Sequence, residues 1–325
     1  MDKNFKILLG ILVILVFFAL FWNLSTGFIS LNFSDFWSSQ SANSDVAELR
    51  LQRVIAVFLA GISIPTSGFL LQEYFQNPLA GPEVLGITSV ASLMVACYIF
   101  MSQDLVLPEF LQNSFLNISA ILGSLIMLLV LLTFSRRISN SSFLIIFGFL
   151  ISALSGAIIS LMQFYANNQS LKNYVLWSFG ANNQLSNNQL TVLGISVFVG
   201  LFICFKTIKP LMGNALGKQY AMSIGVNLNQ LKYLIIIASS LLSASVTAFL
   251  GPVLFIGIVI PHFGRMLYNP AKLWQQWMIN ILMGILVMEV FSSISEILSI
   301  PINIISSIFG IPVIIFMLLK GKTLS

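Results

Sequence analysis

The chain is 325 residues long, 58% hydrophobic and only 8% charged, with a formal net charge of +5. Soluble domains of this size carry about a quarter charged residues, and one globular core cannot hide so large an apolar excess, so the solvent is lipid. The apolar runs, about 17–22 residues each, are helix length and too long for barrel strands, which predicts an all-α polytopic membrane protein in a single domain over 1–325.

In chain order, MDKNFK followed by ILLGILVILVFFALFW imitates a signal peptide. Its apolar run is longer than usual and no small-x-small site follows, so 6–27 reads as a first transmembrane helix. Arg50 and Arg53 stand at the start of a second span, 53–73. At i and i+3 they lie on nearby helix faces. They either snorkel to headgroups or receive carboxylates from an external partner in charge-assisted pairs.

QNPLAGPEVLG, 76–86, then interrupts the apolar pattern. Pro78 and Pro82 lack amide donors and disfavour helix before themselves. The stretch is an ordinary tight loop or a helix break at the mouth of a transport pathway; non-helical backbone at membrane depth needs protein or a water-filled cavity around it. Spans 84–102, 116–134 and 143–163 follow. Segment 164–190 is rich in Asn and Gln, with a short helix predicted near Leu171–Phe179. It reads as an external lip that hydrates a polar cargo, or as solvated loop.

After span 190–205 comes the longest inner loop, about 206–231. Leu216, Tyr220 and Ile224 recur there at spacing four before Gly225, predicting a short amphipathic helix. It docks on a soluble partner or lies on the membrane surface alone. Spans 232–250, 252–268, 275–296 and 304–319 complete ten. His262, the one histidine, falls at the end of the eighth with Arg265; it is a packing residue or, together with Arg265, a contact for the 206–231 loop. Glu289 lies inside the ninth, where an ionisable group invites a functional reading and the surrounding serines a structural one.

With both termini inside, twelve of the 15 basic residues face the cytoplasm and only Arg50, Arg53 and Lys172 face out, as the positive-inside rule requires. The basic balance therefore reports topology and not nucleic acid. Cys97 and Cys204 sit in apolar runs as small hydrophobes. No metal-ligand motif appears, and Gly321-Lys322-Thr323 lacks the earlier glycine of a phosphate loop, Phe316 standing there.

Four blocks together resemble the FecCD family, the permeases of type II ABC importers for iron-siderophore, haem and cobalamin. They are Arg50-Leu-Gln-Arg53 through Gly68, Gln72, Asn77-Pro-Leu-Ala80, Pro82 and Leu85-Gly86; Leu216-Gly217 through Ile224-Gly225-Val226; Phe255-Ile-Gly-Ile-Val-Ile-Pro-His262 with Arg265; and Gly310-Ile-Pro312-Val with Leu-Leu-Lys320. The resemblance implies a type II importer permease fold, a dimer with a second copy or a paralogue, two ABC ATPase subunits below and a substrate-binding protein above. ATP and Mg would sit on the ATPase, this chain holding no cofactor, no metal and no catalytic residue, in a bacterial inner membrane. It implies a cytoplasmic gate at Asn77 and Leu79 with Asn140, Ser141 and Ser142, ATPase coupling through Leu216, Gly217, Lys218, Ile224 and Gly225, and binding-protein docking at Arg50 and Arg53. Gln52 replaces a proline frequent in the family, Lys218 an acid, Val90-Ala91 a Gly-Ala pair, and Ser292-Ser293 fill a region that often holds a basic residue. The alternatives are a permease for a bare metal ion, which predicts His or Asp in the pathway, and an ATP-independent carrier, which predicts more coupling groups near the midplane.

Overall fold

The computed structural model describes residues 3–37, 43–102, 109–137, 141–180, 185–270 and 272–321. The described chain is helical throughout. Its helices are α1 (Lys3–Ser25), α2 (Ser44–Phe75), α3 (Ile87–Met101), α4 (Glu109–Arg137), α5 (Ser141–Tyr165), α6 (Asn168–Ser178), α7 (Asn187–Ala215), α8 (Lys218–Ser223), α9 (Leu228–Leu250), α10 (Ile256–Leu267), α11 (Leu273–Leu298) and α12 (Ile302–Gly321), with a 3-10 turn at Phe33–Phe36. Each of the ten predicted spans meets one helix, and α6 and α8 are the two extra short ones.

Among the described residues, seven helices are long and apolar enough to cross a membrane, whereas α3, α10 and the described part of α12 are shorter apolar helices. At 15 and 12 residues, α3 and α10 rise about 22 and 18 Å, less than the roughly 30 Å hydrocarbon core. Extended or turn backbone must cover the rest, and it lies at 76–86 and 251–255.

Other bounds also moved. α2 begins well ahead of residue 53, where Asp45 places a carboxylate in the first turn and complements the helix dipole. α7 starts at a capping box in which the Ser186 hydroxyl accepts from the Gln189 amide and the Gln189 side chain accepts from Ser186. It then runs through Pro210 to Ala215.

The bundle centres on α2 and α9, buried along most of their lengths, while α1, α4 and α5 present most of their apolar surface outward. With lipid outside, apolarity does not drive helices together; close backbone approach and interhelical hydrogen bonds do. Ser67 Oγ donates to the Ser239 carbonyl at 2.9 Å, joining α2 to α9. Trp277 Nε1 donates to Thr66 Oγ1 at 3.1 Å, joining α11 to α2. A Cβ on Gly68 would fall 1.7 Å from the Gly257 carbonyl oxygen, and one on Gly284 would fall 2.2 Å from that of Gly61. Only glycine permits these two crossings of α2, with α10 and with α11.

Candidate translocation pathway

Three helix breaks converge in the fold. The first follows α2. Gln76 takes the left-handed conformation at φ 53, Asn77 Oδ1 accepts from the Leu79 amide at 2.9 Å, and Gly86 at φ 79 opens α3. The Asx turn at Asn77 mimics a backbone turn, and the two prolines stop helix from continuing. The segment does not stay at the end of the bundle. Gly81 packs on Ile258, Pro82 lies against Gly257, and Gly86 abuts the Gly148 carbonyl inside α5.

The second break is Gly251–Phe255, between α9 and α10, with Gly251 at φ 80 and Phe255 at φ 66. The third is Ser299–Pro301, between α11 and α12, with Ser299 at φ 53. Asn303, in the first turn of α12, ties these parts together. Its Oδ1 accepts from the Leu254 amide at 3.3 Å and its Nδ2 donates to the Ser178 carbonyl at the end of α6 at 2.9 Å.

Around that tie lies an open cleft of about 470 Å³, lined by Thr88, Ser89 and Ser92 of α3, Ser178 and Phe179 at the end of α6, Pro252 and Leu254 of the second break, and Asn303, Ile304, Ser307 and Ile308 of α12. Every polar group in this lining is neutral. Ser92 donates to the Thr88 carbonyl at 2.9 Å, Ser178 to Val175 at 2.8 Å and Ser307 to Asn303 at 2.8 Å. Their oxygens keep lone pairs free to accept from a solute. Phe179, Pro252, Leu254, Ile304 and Ile308 supply most of the rest of the wall, which is apolar.

The predicted gate residues Asn77 and Leu79 are half-buried in the first break and do not line this cleft. Asn140 lies outside the described residues. Ser141 and Ser142 open α5, and their side chains lie outside the description as well.

The amphipathic segment forms as expected but shorter. Gly217 at φ 115 delays its start, and the six-residue α8 ends before Gly225 at φ 84. Ala221 seats it, fully buried, while Leu216, Lys218, Tyr220, Met222 and Ile224 are exposed. Behind it, Asn214 Nδ2 donates to the Tyr74 carbonyl at 3.4 Å, fastening the end of α7 to the last turn of α2.

Arg265 does not reach α8 directly. It pairs with Glu73 at 3.0 Å and donates to Gln72 Oε1, so it meets the α8 segment only through α2. His262 is half-buried in α10 and engaged within the fold.

Arg50 and Arg53 also differ from expectation: at 6% and 9% exposure they turn inward. Arg50 donates to the carbonyls of Leu24, Ser25 and Ile29. Arg53 donates to the Asn23 carbonyl at 3.0 Å, to Asn23 Oδ1 at 3.1 Å and to Thr26 at 3.1 Å, and forms an ion pair with Glu296 of α11. The carbonyls left bare where α1 ends explain the direction, since those orphan acceptors must be satisfied. Glu289 belongs to the same network, accepting from Asn23 Nδ2, which favours its structural reading. Asn23 was not singled out from the sequence; Glu296, an ionisable group near the end of its span, shares one face of α11 with Glu289, seven residues earlier.

The profile of the FecCD transport family matches residues 12–320. Among similar proteins, the hemin transport system permease HmuU of Yersinia pestis is 31% identical over 83% of this chain and 81% of its own length. The vitamin B12 import permease BtuC of Photorhabdus laumondii is 29% identical over 99% of this chain and 94% of its own. A solved metal-chelate type ABC transporter in an inward-facing conformation superposes with a TM-score of 0.83 at 25% identity, over 98% of this chain and 99% of that one.

Proposed function

The chain belongs to the FecCD transport family and is a permease subunit of the metal-chelate, haem and B12 type of ABC transporter, and we propose that it imports an iron complex, siderophore first and haem next, or cobalamin. The observation that carries this reading is an uncharged cleft that the Gly251–Phe255 break enters, closed by the helices that follow the other two breaks, α3 and α12. Irregular backbone inside a membrane protein persists where it lines a cavity, and discontinuous helices near the midplane are where transporters hold their cargo.

In this proposal two copies, or this chain and a paralogue, face each other across the pathway with both chain termini in the cytoplasm. Two ATPase subunits dock on the exposed apolar side chains of the α8 segment: Tyr220 on the helix itself, with Leu216 and Ile224 at its two ends. ATP and Mg stay on the ATPase, and a binding protein delivers cargo from outside. Movement of α8 passes through Asn214 to Tyr74, hence to the last turn of α2 and the Asn77–Leu79 turn. Such rigid-body switching between two states needs no bond chemistry in this chain.

Uptake by cells lacking this chain, complemented with it and supplied in turn with labelled ferric siderophore, haem and cobalamin, tests the cargo. Restored uptake of one of them is expected. Restored uptake of none, with free zinc or manganese taken up instead, would support the bare-ion reading.

A further inference from the structure

The segment from Lys206 to Lys232 carries charge of one sign. It holds Lys206, Lys209, Lys218 and Lys232, and none of the chain's ten acids lies between residues 110 and 288. The acids at the adjoining end of α2 and in the turn after it are not on offer: Glu73 pairs with Arg265, and the Glu83 carboxylate oxygens are buried. An ion pair formed by this segment with another molecule must therefore take its carboxylate from that molecule.

These lysines are not equivalent. The Lys206 ammonium lies 4.5 Å from the Phe202 ring centroid on its own helix, and Lys232 donates to the Ser135 carbonyl of α4. Lys209 and Lys218 are exposed and have no ion-pair partner among the described residues. Lys218 is also badly placed for the fold alone. It is the first residue of α8, where a helix favours an acid and opposes a cation, and its charge repels that of Lys232. Around it Leu216, Tyr220, Met222 and Ile224 are exposed, and lipid is poorly placed to cover them. A snorkelling lysine at 206 marks the headgroup level. From there α7 runs on to Ala215, a further rise of about 15 Å, before α8 begins. An apolar patch with a cation, held beyond the headgroups, fits a protein groove.

We propose that the ATPase groove receiving α8 carries a carboxylate that pairs with Lys218, beside apolar pockets for Tyr220 and its exposed neighbours. This rests on the reading of the chain as an ATP-driven permease. The pair governs which ATPase the permease accepts: a groove with a basic residue at that place meets a like charge and is rejected. It also makes assembly sensitive to salt, because an ion pair at the rim of an interface is screened.

The test uses the full-length permease in nanodiscs of uncharged lipid and the ABC ATPase that co-purifies with it. Lys218→Glu should weaken ATPase binding roughly tenfold or more, Lys218→Arg should stay within about threefold of wild type, and wild-type affinity should fall as salt rises. Misfolding does not explain such a loss, since a glutamate suits the first turn of α8. A carbodiimide, which condenses an amine with a carboxylate to an amide, should join Lys218 to an Asp or Glu of the ATPase that mass spectrometry locates. Replacing that acid by lysine should restore binding to Lys218→Glu. Wild-type affinity in Lys218→Glu, or a loss that appears only when phosphatidylglycerol is added to the nanodiscs, would overturn the proposal, the second result assigning the lysine to anionic lipid. A wild-type chain with which no ABC ATPase co-purifies would instead overturn the functional reading beneath it.

Discussion

Replacing Arg53 by methionine should destabilise the fold by about 3 kcal/mol, because it strands a carboxylate. Arg53 supplies the ion pair to Glu296 and hydrogen bonds to Asn23 and Thr26. Breaking a buried pair by removing one partner costs about 3–5 kcal/mol. The hydrogen bonds to Asn23 and Thr26 share one guanidinium nitrogen and do not add as independent terms. Glu296 keeps 29% side-chain exposure, so water recovers part of the loss and the lower end of the range applies. Removing both charges, Arg53→Met with Glu296→Leu, should return stability to within about 1 kcal/mol of wild type, since an apolar pair of similar volume often replaces a buried ion pair without loss. Thermal unfolding of the purified permease in detergent, run as a double-mutant cycle, reads the difference. If Arg53→Met is as stable as wild type and loses only its affinity for the binding protein, the guanidinium serves an outside partner and the inward assignment is wrong.

Gly68→Val should abolish folded yield. A Cβ at 1.7 Å from the Gly257 carbonyl forces α2 and α10 apart, an overpacking that costs about 1–3 kcal/mol or more; Gly194→Ala, with open space around it, should leave size-exclusion profiles unchanged. Tyr220→Asp with Leu216→Asp places charge on an exposed apolar face and should lower ATPase co-purification at least tenfold while the permease stays folded. Ser307→Trp fills the cleft and should cut cargo uptake more than tenfold with ATPase binding intact.

Much of the fold was legible because hydropathy, prolines and glycines act locally. Each span followed from an apolar run, the break at 76–86 from Pro78, Pro82 and the flanking glycines, and α8 in part from a four-residue spacing of which only Tyr220 falls inside the helix. The early start of α7 was also legible, in Ser186-Asn-Asn-Gln189, and was missed. What stayed hidden depends on tertiary placement. The direction of Arg50 and Arg53 is set by carbonyls at the end of α1 and by Glu296 in α11, which no local pattern brings near α2. The cleft is assembled from α3, α6, α12 and the 251–255 break, and its serines look in sequence like the small residues any membrane helix uses for packing. Arg265 stood in a recognisable block, yet its partners, Glu73 and Gln72, come from the far end of α2, which the block does not reveal.

The most direct test of the conduit account is cargo uptake into vesicles holding this permease with its ATPase partner, compared with vesicles holding the permease alone. Uptake that needs the ATPase and internal hydrolysable ATP is the predicted result. Uptake of equal rate by the permease alone, driven by an ion gradient, would contradict it.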